Sequence, residues 1–173
     1  MVVLIVAVVA ALGIRTFVFQ VFRVPSGSML PTLQLGDRLV VDKVPGLAHS
    51  IQRGDIIVFN KVPADNDPST PVLVKRVIGL PGETISSQGD AVYIDGRAIK
   101  EPWLAAMNAT ASCPQAAFDI PTTHISRNHY FVMGDCRGNS DDSRAWGTVP
   151  LGNIIGRVFV VIWRHNHPWF HWF

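Results

Sequence analysis

The chain has 173 residues, of which 48% are hydrophobic and 16% are charged, and its formal net charge is +2. This length suits one domain, and the hydrophobic content excludes a disordered chain. The small net charge, without a basic stripe, gives no indication of nucleic-acid binding. Two cysteines, Cys113 and Cys136, are too few for a disulfide scaffold or a four-thiolate zinc site. The mean hydropathy of +0.25 is high for a soluble domain and directs attention to a membrane segment.

The first 22 residues are predominantly apolar, and residues 1–14 carry no charge. As a helix, 22 residues reach about 33 Å, enough to cross the hydrocarbon core of a bilayer. Arg15 lies near one end, where its side chain can reach the headgroups. We therefore predict a transmembrane anchor over residues 1–22. A cleaved signal peptide is a weaker alternative because no basic residues precede the apolar run, and a buried helix is another.

After Phe22 the sequence changes to short apolar runs separated by turn residues, which is typical of a mostly β domain. We assign this domain to residues 23–163, with a loop or insertion at 103–128 and another loop at 62–71. Asp95-Gly96 is a good two-residue hairpin turn. The predicted strands are Arg38–Val44, Ile56–Phe59, Val72–Leu80, Val92–Ile99, Tyr130–Met133 and Gly156–Trp163.

Three segments carry side chains that could perform chemistry. Ser26 and Ser28 flank a glycine directly after the predicted anchor, a pattern that also occurs in ordinary turns. Lys75 shares a strand face with apolar residues, where burial would lower its pKa, although it could instead face solvent. The loop 134–144 alternates aspartates with arginines, which favours internal ion pairs over a calcium site.

A neutral lysine can act as the base that activates a serine hydroxyl, and serine-lysine pairs are a known variant of the catalytic triad. The six histidines lie in predicted loops or in the C-terminal tail, and no metal-ligand spacing is present. The residues therefore favour a Ser-Lys pair over a Ser-His-Asp triad, with no cofactor and no metal.

The order of these segments resembles that of the bacterial type I signal peptidases, which are Ser-Lys serine proteases. The resemblance covers nearly the whole chain, and five motifs in the same order make it specific. These motifs are PSGSMLPTL (25–33), GDRLVVDK (36–43), RGDIIVF (53–59), VKRVIGLPGE (74–83) and GDCRGNSDDSR (134–144).

The resemblance implies a role for each matching residue. Ser28 would be the nucleophile and Lys75 the general base, while Ser26 would donate to the oxyanion and Ser140 would orient the Lys75 amine. Asp135 with Arg76, and Asp142 with Arg144, would form structural ion pairs. The implied substrate-binding residues are Val24, Pro25, Met29, Leu33, Leu39, Val58, Leu73 and Val74.

The implied fold is a mostly antiparallel β domain of two packed sheets with one N-terminal transmembrane helix. The implied activity is removal of signal peptides from exported preproteins after small-X-small sites. The enzyme would be a single-pass protein of the bacterial plasma membrane, with its catalytic domain on the outer side and a functional link to the secretion translocon. Charge alone leaves this orientation open.

The sequence departs from the family pattern at Cys136, where asparagine is usual. Because the domain would lie in an oxidising compartment, we predict a disulfide between Cys113 and Cys136 that braces the loop carrying Ser140. The alternatives are that Cys136 is a small replacement for asparagine or a nucleophilic thiol.

The C-terminal tail, residues 164–173, is rich in aromatic residues and histidine. Tryptophan is enriched at membrane interfaces, so we predict that the tail contacts lipid. The alternative is that it packs on the β domain.

The residues are also compatible with two other functions. One is a specialised Ser-Lys processing peptidase of the conjugation or pilin type. The other is a non-catalytic membrane-tethered β domain that binds a partner, which would be expected to lack Ser28 or Lys75.

Overall fold

A computed structural model describes residues 19–43, 51–65, 71–104, 113, 118–164 and 166–173. Most of the predicted anchor, residues 1–18, and parts of both predicted loops lie outside this set. None of the helices in the described ranges combines the length and apolar character that a membrane span requires.

Twelve strands and one short helix make up the described structure. The helix α1 is Ser143–Trp146, and 3₁₀ turns lie at Arg137–Asn139 and Leu151–Asn153. The strands are β1 Phe19–Arg23, β2 Arg38–Asp42, β3 Ile56–Asn60, β4 Val72–Gly79, β5 Thr84–Gln88, β6 Ala91–Ile94, β7 Arg97–Ala98, β8 Thr123–His124, β9 His129–Met133, β10 Val149–Pro150, β11 Ile154–Arg164 and β12 His167–Trp172.

The strands form two antiparallel sheets, which confirms the predicted mostly β fold. The large sheet has the order β1-β2-β11-β3-β4-β9-β10, with β12 also paired to β11, and the small sheet has the order β7-β6-β5-β8. The β6–β7 hairpin turns at Asp95 and Gly96, whose φ angles of 49° and 74° suit a two-residue turn.

Side-chain alternation along the strands divides the core into clusters on different faces. Val74 of β4 belongs to a first cluster, which also contains buried residues of β2, β3 and β11. Val77, an odd number of residues further on, belongs to a second cluster with Ile57 and Trp146. A third cluster fills the space between β4, β9 and the small sheet. Strand β4 therefore contributes to all three clusters and lies at the centre of the fold.

The end of the predicted anchor requires a correction. Phe19–Phe22 belong to strand β1, paired with β2 through Phe19↔Asp42 to Arg23↔Arg38. Phe22 packs against the first cluster, whereas Phe19 and Val21 are exposed. Alternation between two faces suits an extended edge strand, so the predicted helix cannot include these residues.

Other strands occur where none was predicted. Strand β5 follows the Pro81-Gly82 turn, and β8 lies within the predicted loop at 103–128. The tail forms β12, which pairs with β11 through Val160↔Trp172 and Arg164↔His167. Polar residues in β5 and histidines in β12 interrupt the apolar pattern, so the sequence does not predict these strands.

Candidate active site

Ser28 lies in a compact turn between β1 and β2. The turn is anchored by Met29 and Leu33, which are 1% and 0% exposed and belong to the first cluster. Within it, Leu33 N–H donates to the Met29 carbonyl at 2.9 Å, and Leu30 N–H donates to the Gly27 carbonyl. Ser28 itself is only 7% exposed. Apolar anchoring of the residues that follow Ser28 therefore fixes the position of a buried hydroxyl.

Lys75 approaches this hydroxyl from the middle of β4, where it lies opposite Ile57 of β3. Its Nζ atom donates to Ser28 Oγ at 2.8 Å, although the two residues are 47 positions apart. Burial lowers the pKa of Lys75 from 10.5 to about 8, against the opposing effects of the Asp142 and Asp141 charges. Near pH 8 a large fraction of this amine is therefore neutral and can accept a proton from Ser28.

Ser26 provides a second hydroxyl beside the first. Its Oγ atom lies 3.3 Å from Ser28 Oγ, and unlike Ser28 the residue is exposed. The hydroxyl can thus reach a group bound at Ser28 without itself being buried.

The loop after β9 closes over the backbone of Ser28. Cys136 N–H donates to the Ser28 carbonyl at 3.0 Å. A Cβ atom at Gly134 would lie 2.5 Å from the same carbonyl and 2.3 Å from Ser140 Oγ, so no side chain fits there. Glycine at 134 therefore permits the close approach of loop and turn.

Two ion pairs hold this loop. Arg76 donates to both carboxylate oxygens of Asp135, at 2.7 and 2.6 Å, and both side chains are buried. Asp142 accepts from Arg144 and from the Gly134 N–H, the latter at 3.0 Å. Because bidentate, buried pairs have strict geometry, these contacts position the loop rather than merely neutralise charge.

Ser140 differs from the prediction. Among the described residues its hydroxyl donates to Asp142 Oδ2 at 2.7 Å, and it makes no hydrogen bond to Lys75. The Ser140 hydroxyl thus donates to a carboxylate whose charge raises the pKa of Lys75 against the effect of burial.

The eight predicted substrate-binding residues do not share one exposed surface. Pro25 is exposed, and Leu73 packs against the second cluster. The other six are at most 7% exposed and belong to the first cluster: Val24, Met29, Leu33, Leu39, Val58 and Val74. The partly buried Phe22, Val72 and Ile155 pack against this cluster. Phe22 is absent from the predicted set because the sequence places it in the anchor.

Cys113 and Cys136 are joined by a disulfide, with a Cα–Cα distance of 5.4 Å. Within the described ranges no group of three or more His, Cys, Asp or Glu side chains is arranged to hold a metal ion.

A third ion pair lies next to the site, and the sequence did not predict its partner, Glu101. Arg137 is buried and bonds to Glu101, and its Nε donates to the Gly134 carbonyl at 3.1 Å. The alternation of aspartates with arginines in the loop indicates an ion pair for Arg137, but the partner lies 36 positions away in the sequence.

Comparison with known proteins gives the family. A family model described as signal peptidase, peptidase S26, matches residues 1–163. A signal peptidase I of Leptolyngbya laminosa is 43% identical over 163 residues, covering 92% of this chain and 76% of the relative. A signal peptidase I of Bacillus amyloliquefaciens is 40% identical over 156 residues, covering 88% of this chain and 78% of the relative.

A crystal structure of a signal peptidase I from Enterococcus faecalis aligns with a TM-score of 0.50 at 34% identity, covering 62% of this chain and 95% of that chain. The chain is thus a serine peptidase, and it belongs to the signal peptidase family, peptidase S26. This confirms the resemblance seen in the sequence. Strand β12, at His167–Trp172, lies beyond the residues that the family model matches.

Proposed function

We propose that this peptidase removes signal peptides from exported preproteins, with Ser28 as the nucleophile and Lys75 as the general base. The observation that supports this assignment most directly is the 2.8 Å contact between Lys75 Nζ and Ser28 Oγ, with both residues buried. A buried lysine has a lowered pKa, and a hydroxyl needs an adjacent base to become nucleophilic.

In the proposed reaction, neutral Lys75 takes the Ser28 proton as Oγ attacks the scissile carbonyl carbon. The negative charge that develops on the carbonyl oxygen is stabilised by the Ser28 N–H and the Ser26 hydroxyl. The Lys75 ammonium then protonates the leaving amine, which leaves an ester on Ser28. Lys75 next deprotonates a water molecule. The activated water attacks the ester, which releases the second product and restores the Ser28 hydroxyl.

The proposed substrate binds in extended form along β1. This strand lies at the end of the large sheet. Among the described strands it pairs only with β2, through one edge, and a peptide could pair with the other edge. Addition of a peptide strand to such an edge places alternate side chains on the same face. The first and third residues before the cut would then face the first cluster, whose members are already buried, and we expect small side chains at both positions.

Cleavage of a purified preprotein, followed by sequencing of the new N-terminus, tests the activity and the small-X-small rule together. We expect Ser28→Ala and Lys75→Ala each to abolish cleavage, while Ser126→Ala and Lys100→Ala, which change exposed residues, retain it. Substantial cleavage by Lys75→Ala would rule out the proposed base.

We also propose that the enzyme is tethered to the plasma membrane by residues 1–18, with the β domain on the outer side near the secretion translocon. Eighteen residues reach about 27 Å as a helix, close to the hydrocarbon thickness of a bilayer. An anchor that ends at residue 18 would be followed directly by β1. The Ser28 turn would then lie near the membrane, where the cleavage site of a translocated preprotein emerges.

An exposed apolar surface begins at β1, where the proposed anchor ends. We call it the aromatic surface, and its members are 40–68% exposed: Phe19, Val21, Trp169, Phe170, Trp172 and Phe173. The Phe159 ring connects its two parts, at 5.4 Å from the Phe19 ring and 5.8 Å from the Trp172 ring. An exposed aromatic surface continuous with a membrane anchor is suited to the bilayer interface.

The charges beside this surface favour anionic lipid. Arg23 and Arg38 are exposed and lie opposite one another in the β1–β2 register. Like charges directly opposite are destabilising, and anionic headgroups would offset this repulsion.

Fluorescence quenching in vesicles tests the lipid contact. The full chain is reconstituted with lipids that carry a quencher at the interface, and we expect strong quenching of its tryptophan emission. Trp169→Phe with Trp172→Phe should remove most of this quenching, whereas Trp146→Phe, at a buried position, should not. Equal quenching in both variants would contradict contact between the aromatic surface and lipid.

A further inference from the structure

The disulfide lies directly beneath the Ser28 turn. Cys113 and Cys136 are 6% and 0% exposed, and Leu30 and Leu104 pack against them. Leu30 is only two residues after Ser28 and belongs to the same turn. The disulfide therefore contacts the turn through the apolar side chain of Leu30.

The second contact is made by the backbone of Cys136. Its N–H donates to the Ser28 carbonyl at 3.0 Å, and in the same loop Gly134 approaches that carbonyl so closely that a Cβ would be 2.5 Å away. The residue that carries the disulfide thus also holds the backbone of the proposed nucleophile.

We propose that Cys136, fixed by its disulfide to Cys113, is a positioning residue for Ser28, so that the oxidised form is the fully active form of the enzyme. This inference rests on the proposed function. The disulfide connects the loop after β9 to a residue 23 positions earlier, and it thereby limits movement of the Cys136 N–H away from the Ser28 carbonyl. Small displacements of a reacting group cost on the order of 100-fold in rate.

Reduction by a dithiol would release this constraint. The dithiol supplies two electrons and two protons, both cysteines become thiols, and the reagent becomes its cyclic disulfide. The family resemblance implies asparagine at the position of Cys136. The proposed constraint on Ser28 therefore depends on the two cysteines of this chain.

Kinetics of the full chain provide the first test, with wild type, Cys113→Ser, Cys136→Ser and the double variant. We expect kcat to fall about 10- to 100-fold in all three variants, with KM changed less than about threefold. The losses should be equal rather than additive because each variant removes the same bond. Reduced wild type should match the variants, and reoxidation should restore its kcat. A kcat within twofold of oxidised wild type in the folded double variant would overturn the proposal.

Hydrogen exchange provides a test that does not depend on activity. On reduction, amides in segments 26–33 and 134–142 should exchange faster, while those of β5 and β6 in the small sheet should not change. Unchanged exchange in both segments would overturn the proposal. Oxidised wild type that fails to cleave any preprotein would instead contradict the proposed function, and the exchange result would still decide whether the disulfide positions Ser28.

Discussion

The large sheet carries two regions with proposed functions, and these functions have opposite physical requirements. Around Ser28, polar groups are buried and are held by contacts between 2.6 and 3.0 Å that include Lys75–Ser28 and Arg76–Asp135. The aromatic surface has apolar side chains exposed by 40–68%. The first region depends on the position of individual atoms, whereas the second depends on the amount of apolar area. Single substitutions should therefore have large effects in the first region and small effects on stability in the second.

The largest effect on stability is expected at the buried ion pair. Asp135→Ala leaves the Arg76 guanidinium buried without its partner, and we expect a loss of about 3–5 kcal/mol of unfolding free energy. Urea unfolding of the full chain in detergent, followed by tryptophan fluorescence, measures this change.

The matched control is the more exposed pair between Arg157 and Asp55, whose atoms are 3.5 Å apart. There Arg157→Ala should change stability by about 0–1 kcal/mol. Equal losses at the two pairs would contradict the distinction between a buried and a solvated contact.

Removal of one hydroxyl beside Ser28 should reduce the rate without affecting the fold. We expect Ser26→Ala to lower kcat on the order of 10²–10³-fold, as for other single oxyanion donors. Because Ser26 is exposed, the unfolding midpoint should not change. Steady-state kinetics and thermal unfolding of the same preparation separate the two effects, with Ser126→Ala as the control. A change in kcat of less than fivefold would remove Ser26 from the mechanism.

Lys75 should lower the stability of the fold, although cleavage requires it. Burial lowers its pKa from 10.5 to about 8, so the protonated form costs about 3 kcal/mol in the folded state. Lys75→Met should abolish cleavage and raise the unfolding free energy at pH 7 by up to this amount.

The pH dependence follows from the same shift. Between about pH 8 and 10.5 the unfolded wild-type chain binds more protons at Lys75 than the folded chain does. Wild-type stability should therefore rise with pH in this window through Lys75, and Lys75→Met should lack that contribution. Wild-type cleavage should increase through pH 8 because only the neutral amine accepts the Ser28 proton. Cleavage that is independent of pH between 6 and 9 would argue against Lys75 as the base.

The smallest effect on stability is expected at the aromatic surface. Phe170 is 68% exposed, and Phe170→Ser should change the unfolding free energy by less than about 0.5 kcal/mol. The same variant should weaken quenching by interfacial lipid probes. A large loss of stability would show that the residue supports the fold rather than the contact with lipid.

The strands that could be predicted were those whose local pattern is sufficient. The apolar run of β4 and the Asp95-Gly96 turn between β6 and β7 both occur as expected. The Phe-Gln-Val-Phe residues of β1 continue an apolar segment and therefore predict part of the anchor, and only pairing with β2 reveals the change of conformation. Strand β12 is mostly polar and aromatic and depends on β11 for its hydrogen bonds.

For the site, the sequence by itself determined the residue types, their order in five motifs and the family to which they belong. Tertiary structure decided which atoms meet: Ser28 and Lys75 are 47 positions apart and lie 2.8 Å from each other. It also decided that Ser140 donates to Asp142 and that Cys136 N–H holds the Ser28 carbonyl. The physical reason is that alternation and turn residues encode conformation over a few residues, whereas desolvation and hydrogen bonding depend on every segment that packs around a group. The lowered pKa of Lys75 is such a property, since its main cause is burial by residues distant in the chain.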